Sequence, residues 1–129
     1  MAEESLQEVR LLLGDKKYRS LLNSLYNVYY YSMEAFLFRE EVHCRSHEEL
    51  KKSFLEKIHS GAFHFTGISA DPATWDSDLE TIFKTKRDNE KGILPSPMII
   101  LSLIQRGERF FEAIKLLLLG KSGTSPVGH

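Results

Sequence analysis

The most closely grouped side chains that could do chemistry in this 129-residue chain lie between His43 and Lys52. His43-Cys44-x-x-His47 brings three candidate metal ligands close together, with His59 and His64 further on. A structural zinc site uses four ligands at recognised spacings. That spacing is absent, so no metal is expected: His47 reads as a first-turn residue beside a helix cap, and Cys44 as a small loop residue. Arg45, His47, Lys51 and Lys52 offer a different chemistry, a basic patch at a helix N-terminus where free N–H groups favour an anion. Glu48 and Glu49 compensate that charge, and a solvated face is the competing reading. Lys84, Lys86 and Arg87 form a second basic group, but their helical positions cannot all face one ligand. The carboxylates, Glu80 and Glu90 among them, show no pairing that singles out glycosidase or metallohydrolase chemistry. No phosphate-cradling glycine loop or nucleophile elbow is present. No cofactor is expected.

The elements that would position these residues are helices, because the apolar period is three to four nearly everywhere and no useful strand alternation occurs. A first helix spans about Ser5 to Leu13, stopped at Gly14-Asp15. A long second helix from about Lys16 to Glu41 has a core stripe of Tyr18, Leu22, Leu25, Tyr29, Met33 and Phe36. Asn23, Asn27, Tyr31, Glu34 and Phe38 follow the opposite face, a polar and aromatic surface that suits a partner. Ser46-His47-Glu48-Glu49 is a capping-box pattern, so a third helix starts there and buries Leu50, Phe54 and Ile58. Residues 61–70 read as a loop. Asp71-Pro72 and Ser96-Pro97 each pair a cap with a proline at the first helical position, opening a fourth helix through Trp75, Leu79, Ile82 and Phe83 and a fifth through Phe110 and Leu118. The expectation is an all-α, five-helix, mostly up-and-down antiparallel bundle over 1–119, its second and fifth helices forming the central pair, with a disordered tail over 120–129.

Composition sets the frame. The chain is 42% hydrophobic with a net charge of −1, which fits one domain and gives no global basic field for nucleic acid or an anionic membrane. The single cysteine excludes an internal disulfide, and MAEESLQEV lacks the regions of a secretory signal. A cytoplasmic protein is expected. Charges in the second half of the apolar C-terminal helix argue against a bilayer span.

The order Lys17-Tyr18, Ser24 to Tyr26 within a long aromatic helix, and Arg45-Ser46-His47 resembles the HEPN superfamily of small helical bundles. In the similar branch, a basic residue and tyrosine precede an Arg-x-Tyr-Tyr-Ala helix, and a Lys-Ser/Thr-His turn opens the next. Ser24 then occupies the arginine position, Tyr26 the first tyrosine, Asn27 the second, Val28 the alanine and His47 the histidine. Ile82 to Arg87 resembles the family's hydrophobic run ending in arginine, and Glu108 to Lys115 its closing Glu-x-Phe-Leu-x-x-Ile-Lys helix. The likeness spans roughly Lys16 to Leu118.

The resemblance implies a metal-independent ribonuclease only where arginine and histidine are separated by four to six residues, one holding the scissile phosphate and the other moving the 2′-hydroxyl proton. Here Arg39 and His43 are separated by three residues, Arg87 has no following histidine before His129, and Lys91-Gly92 replaces the family's Asp-Tyr pair. No catalytic residue is assigned and no enzymatic activity is expected. The expected function is a non-catalytic helical binding and dimerisation module. By resemblance its partner is a small nucleotidyltransferase in a toxin–antitoxin or related regulatory system. Interface candidates are Asn27, Tyr31, Glu34 and Phe38; ligand or RNA candidates are Arg45, His47, Lys51, Arg87, Asp88 and Tyr30. The alternatives are a ribonuclease toxin with a displaced site, using Arg87 or Arg45 with His47, and a nucleotide-binding bundle using Tyr30, Arg87 and Asp88.

Overall fold

The computed structural model describes residues 2–59 and 72–127, and side chains over 2–57 and 74–118. Five helices make up its regular structure: α1 (Ala2–Gly14), α2 (Tyr18–Arg39), α3 (His47–His59), α4 (Pro72–Glu90) and α5 (Pro97–Val127). Among the described residues there is no strand, and no helix is long and apolar enough to cross a membrane. The expected loop over 61–70 with His64, the Asp71 cap and the side chains of Ile58 and His59 lie outside the described residues. Helical backbone continues past Gly120, where the sequence places a disordered tail.

Where the helices stop determines how they pack. Three of them close with a backbone bond that reaches five residues back, Lys17 N–H to the Leu12 carbonyl, Val42 N–H to Leu37 and Ile93 N–H to Asp88, each around a left-handed residue: Lys16 (φ 57°), Glu41 (φ 61°) and Gly92 (φ 81°). At α1 this differs from the expected stop. Gly14 is the last helical residue, and the left-handed turn falls on Lys16. At α2 the turn through Glu41 sends the chain back along its own helix, so that α3 begins beside Tyr26 and Tyr30 rather than beyond Arg39.

The core follows the stripe of α2. Leu22, Leu25, Tyr29, Met33 and Phe36 are all buried, while Tyr18 is half-buried at its edge. Tyr29 meets Phe110 with ring centroids 4.7 Å apart, and Phe54 and Trp75 complete an aromatic cluster around Phe110. Truncating Tyr29 or Phe110 to Ala is expected to cost about 3–5 kcal/mol. Gly107 lets α5 approach α2 closely, since a Cβ there would fall 2.7 Å from Leu25 Cδ1.

Most packed neighbours are antiparallel, as Ser24 with Glu8, Trp75 with Phe110 and Asp78 with Arg106 show for successive pairs. Two pairs are exceptions: α3 runs along α2 in the same direction, with His47 on Tyr26 and Phe54 on Phe36, and so does the central pair. Gly107 lies against Leu25 and Arg39 reaches the Leu117 and Leu118 carbonyls, so α2 and α5 run in the same direction. Buried Asn89 fastens the other end of α2, its Nδ2 donating to the Arg19 carbonyl at 3.0 Å and to Asn23 Oδ1 at 3.2 Å.

Candidate functional site

The start of α3 carries the expected Ser46 cap, with Glu49 reaching back one residue further than a capping box requires. Ser46 Oγ accepts from the Glu49 N–H at 3.1 Å, and Glu49 Oε2 accepts from the Arg45 N–H at 3.4 Å. This holds His47 in the first turn. Its Nδ1 lies 2.6 Å from Tyr26 Oη, and its ring packs 4.4 Å, centroid to centroid, from Tyr30. Burial pushes the Tyr26 hydroxyl well above its ordinary range, helped by the Glu48 carboxylate. Tyr26 therefore keeps its proton, and its hydroxyl pairs with Nδ1 as donor or acceptor according to the imidazole tautomer.

On the other side of Tyr26, the Lys86 ammonium sits 5.0 Å from the ring centroid and 3.6 Å from the Glu90 carboxylate. Phe83 packs edge-on against Tyr26, with Lys51 Nζ 4.9 Å from the Phe83 centroid. Lys51 is also bonded to Glu80, whose carboxyl it holds below the usual range.

His47 opens onto a groove of about 820 Å³. One wall is α2 from Tyr30 to Phe38, a second is the returning segment from Val42 to His47, and the third is α5 at Phe111, Ile114, Lys115 and Leu118, with the start of α1 at one end. Leu37, Leu50 and Ile114 give it an apolar floor. Glu34, Arg45, His47 and Lys115 give it a polar rim. Tyr30 donates to Glu34 at 3.2 Å, and its hydroxyl is pushed up first by burial and then by that carboxylate. Among the described residues neither Arg45 nor Lys115 has a carboxylate partner within ion-pair distance.

The candidates divide by location. Tyr30, Arg45 and His47 come together on the groove, and so do Tyr31, Glu34 and Phe38. Asn27 is half-buried and does not line it. Lys51 faces α4 through Glu80. Arg87 and Asp88 are on α4 away from the groove, and Asp88 accepts from Lys84 at 3.3 Å while its carbonyl closes the helix end. Sequence reasoning missed Phe111 and Lys115, because an alignment of α2 with α5 in one direction was needed to bring them opposite Tyr31 and Phe38. The spacing of Phe111 and Lys115, one helical turn apart, was the available signal. Tyr26 was placed in the aromatic helix without its bond to His47.

Two residues bear on ribonuclease chemistry. Ser24, in the position where the resembled family carries arginine, is buried and donates to Glu8 Oε1 at 2.8 Å, tying α1 to α2. Arg39, which precedes His43 with three residues between, donates to the Leu117 and Leu118 carbonyls at 3.3 and 3.1 Å. Neither lines the groove. His43, Cys44 and His47 all do, yet among the described residues no three of His, Cys, Asp or Glu converge in a metal-holding group.

Searches of protein-family models, curated proteins and solved structures find no match to this chain.

Proposed function

We propose that this chain is a non-catalytic helical binding module whose recognition surface is the groove between α2, the returning segment and α5. The observation that carries the reading is the groove's composition: an apolar floor flanked by Tyr31, Phe38 and Phe111, under a rim of both signs of charge. Such a surface suits a protein segment better than a free polyanion, because large aromatic side chains supply contact area while mixed rim charges set register. The HEPN resemblance suggests the partner, a small nucleotidyltransferase chain in a toxin–antitoxin or related regulatory pair acting in the cytoplasm.

A second reading is favoured by one observation. His47 is oriented by Tyr26 and shares the groove with Arg45, the general geometry of a proton-moving group beside a phosphate-holding one. The non-catalytic reading rests on the employment of Ser24 and Arg39 elsewhere. Losing a positioned acid–base or charge-stabilising group removes about 10²- to 10⁴-fold in rate, so background cleavage is expected. The test is incubation of purified protein with total RNA in excess chelator. Intact RNA supports the binding module. Cleavage that disappears in both His47→Ala and Arg45→Ala, with helical content unchanged, establishes the nuclease instead.

A further inference from the structure

The segment from Gly92 to Gln105 carries no charged residue. Ile100, Leu103 and Ile104 account for part of its apolarity, since they are buried in the core. Ile93, Leu94, Met98, Ile99 and Leu101 do not: all five are exposed, Met98 to 81%. Met98, Leu101 and Gln105 recur at three and four residues and so share the outer side of α5. The α2 face expected to dimerise is poorer in such surface. Phe38 is its one large exposed apolar side chain among the described residues, while Tyr31 and Asn27 are half-buried.

We propose that the patch from Ile93 to Leu101 is a self-association surface that seats the same patch of a second copy about a two-fold axis, α5 start against α5 start. The chemistry selects a copy as the occupant. A two-fold interface sets a patch against itself, so a charge near its centre would face its like. This one has none, and the bounding charges, Lys91 and Arg106, lie at its edges, with Arg106 facing Asp78 at 3.9 Å. The five side chains expose a few hundred Å² of apolar surface, at the level where a monomer's patch marks a contact site. That is less than the roughly 800 Å² per partner of a standard interface, so the dimer is a weak one. Met98 and Lys115 are separated along α5 by about 25 Å at 1.5 Å rise per residue, which leaves the groove open in the dimer.

Sedimentation velocity of the full chain from micromolar to millimolar concentration tests this. The wild type is expected to shift from monomer to dimer, and Met98→Glu with Leu101→Glu to weaken association about a hundredfold or more, because each introduced carboxylate is desolvated against apolar surface. Unchanged circular dichroism and melting show the variant folded. Ile93→Glu, in the segment before the helix, gives the same readout should the helical variant be destabilised. Phe38→Glu should leave the dimer intact. A wild type that stays monomeric throughout, a dimer that survives Met98→Glu with Leu101→Glu, or one lost in Phe38→Glu would overturn the assignment. So would a monomeric wild type that co-sediments with phosphatidylglycerol vesicles through Met98, since the patch would then dock on lipid.

Discussion

Tyr26 on α2 and His47 at the start of α3 meet at 2.6 Å between Oη and Nδ1, closing the gap between two elements that the chain joins by a reversal at Glu41. Replacing Tyr26 by Phe keeps the ring between Lys86 and His47 and removes this bond alone. The expected loss of stability is about 1 kcal/mol, measured by urea unfolding. The more specific readout is the nitrogen-15 spectrum of His47, which should change from one dominant tautomer to a mixture of both. An unchanged spectrum would mean that Tyr26 does not fix the imidazole.

The turn that positions this pair carries strain. Glu41 adopts φ 61° where glycine is favoured. Glu41→Gly should stabilise the protein by roughly 0.5–1 kcal/mol, the relief of the left-handed conformation less the entropy that glycine loses on folding. A thermal melt reads it, and a lower melting temperature would show that the Glu41 side chain contributes more than its backbone costs.

Gly107 and Leu25 provide a test of the α2–α5 contact. Alanine in mid-helix normally gains about 0.8–1 kcal/mol over glycine, but here its methyl would sit 2.7 Å from Leu25 Cδ1 and 3.4 Å from Tyr29 Cε2. Overpacking costs about 1–3 kcal/mol. Gly107→Ala is therefore expected to destabilise the wild type by about 1 kcal/mol and to stabilise a Leu25→Ala background. Equal effects in both backgrounds, measured as a double-mutant cycle, would contradict the close approach.

Two tyrosines make the fold sensitive to alkali. Burial raises both Tyr26 and Tyr29 above the ordinary value of 10.0, with Glu48 adding to the first and Asp78 to the second. A group with a raised folded value contributes stability that is complete below its unfolded value and is lost as pH rises toward the folded one. Melting temperature should therefore hold up to about pH 10 and fall above it, with tyrosinate absorbance from these residues appearing only on unfolding. Tyr29→Phe should flatten that fall. A wild type whose tyrosines all titrate while it remains folded would refute their burial.

Much of the architecture was legible in local chemistry. Ser46, Pro72 and Pro97 marked helix starts because caps and first-turn prolines act within a few residues, and the α2 stripe identified its buried face through simple periodicity. The direction of α3 and α5 was not legible. For α3 it depends on Glu41 adopting a left-handed conformation that its residue type disfavours, for α5 on how the intervening helices pack, and no helical pattern records either. The site suffered the same loss: Arg45, His47, Tyr30 and Phe38 could be named from one stretch, but Phe111 and Lys115 join them only once α5 lies parallel to α2. Arg87 and Asp88 were drawn in by resemblance, whereas the fold uses Asp88 to close α4.

The groove's role as a recognition surface is tested most directly by quantitative co-purification from the native host using the wild type, Phe38→Glu and Leu11→Glu. Both substituted residues are exposed, Phe38 on the groove and Leu11 on α1 away from it, so each variant should fold. The wild type and Leu11→Glu should recover the same nucleotidyltransferase-like chain in equal amounts, and Phe38→Glu should recover at least about tenfold less, as expected when a carboxylate is desolvated in an apolar contact. Equal recovery by all three proteins, or recovery of no such chain by any, would contradict the account.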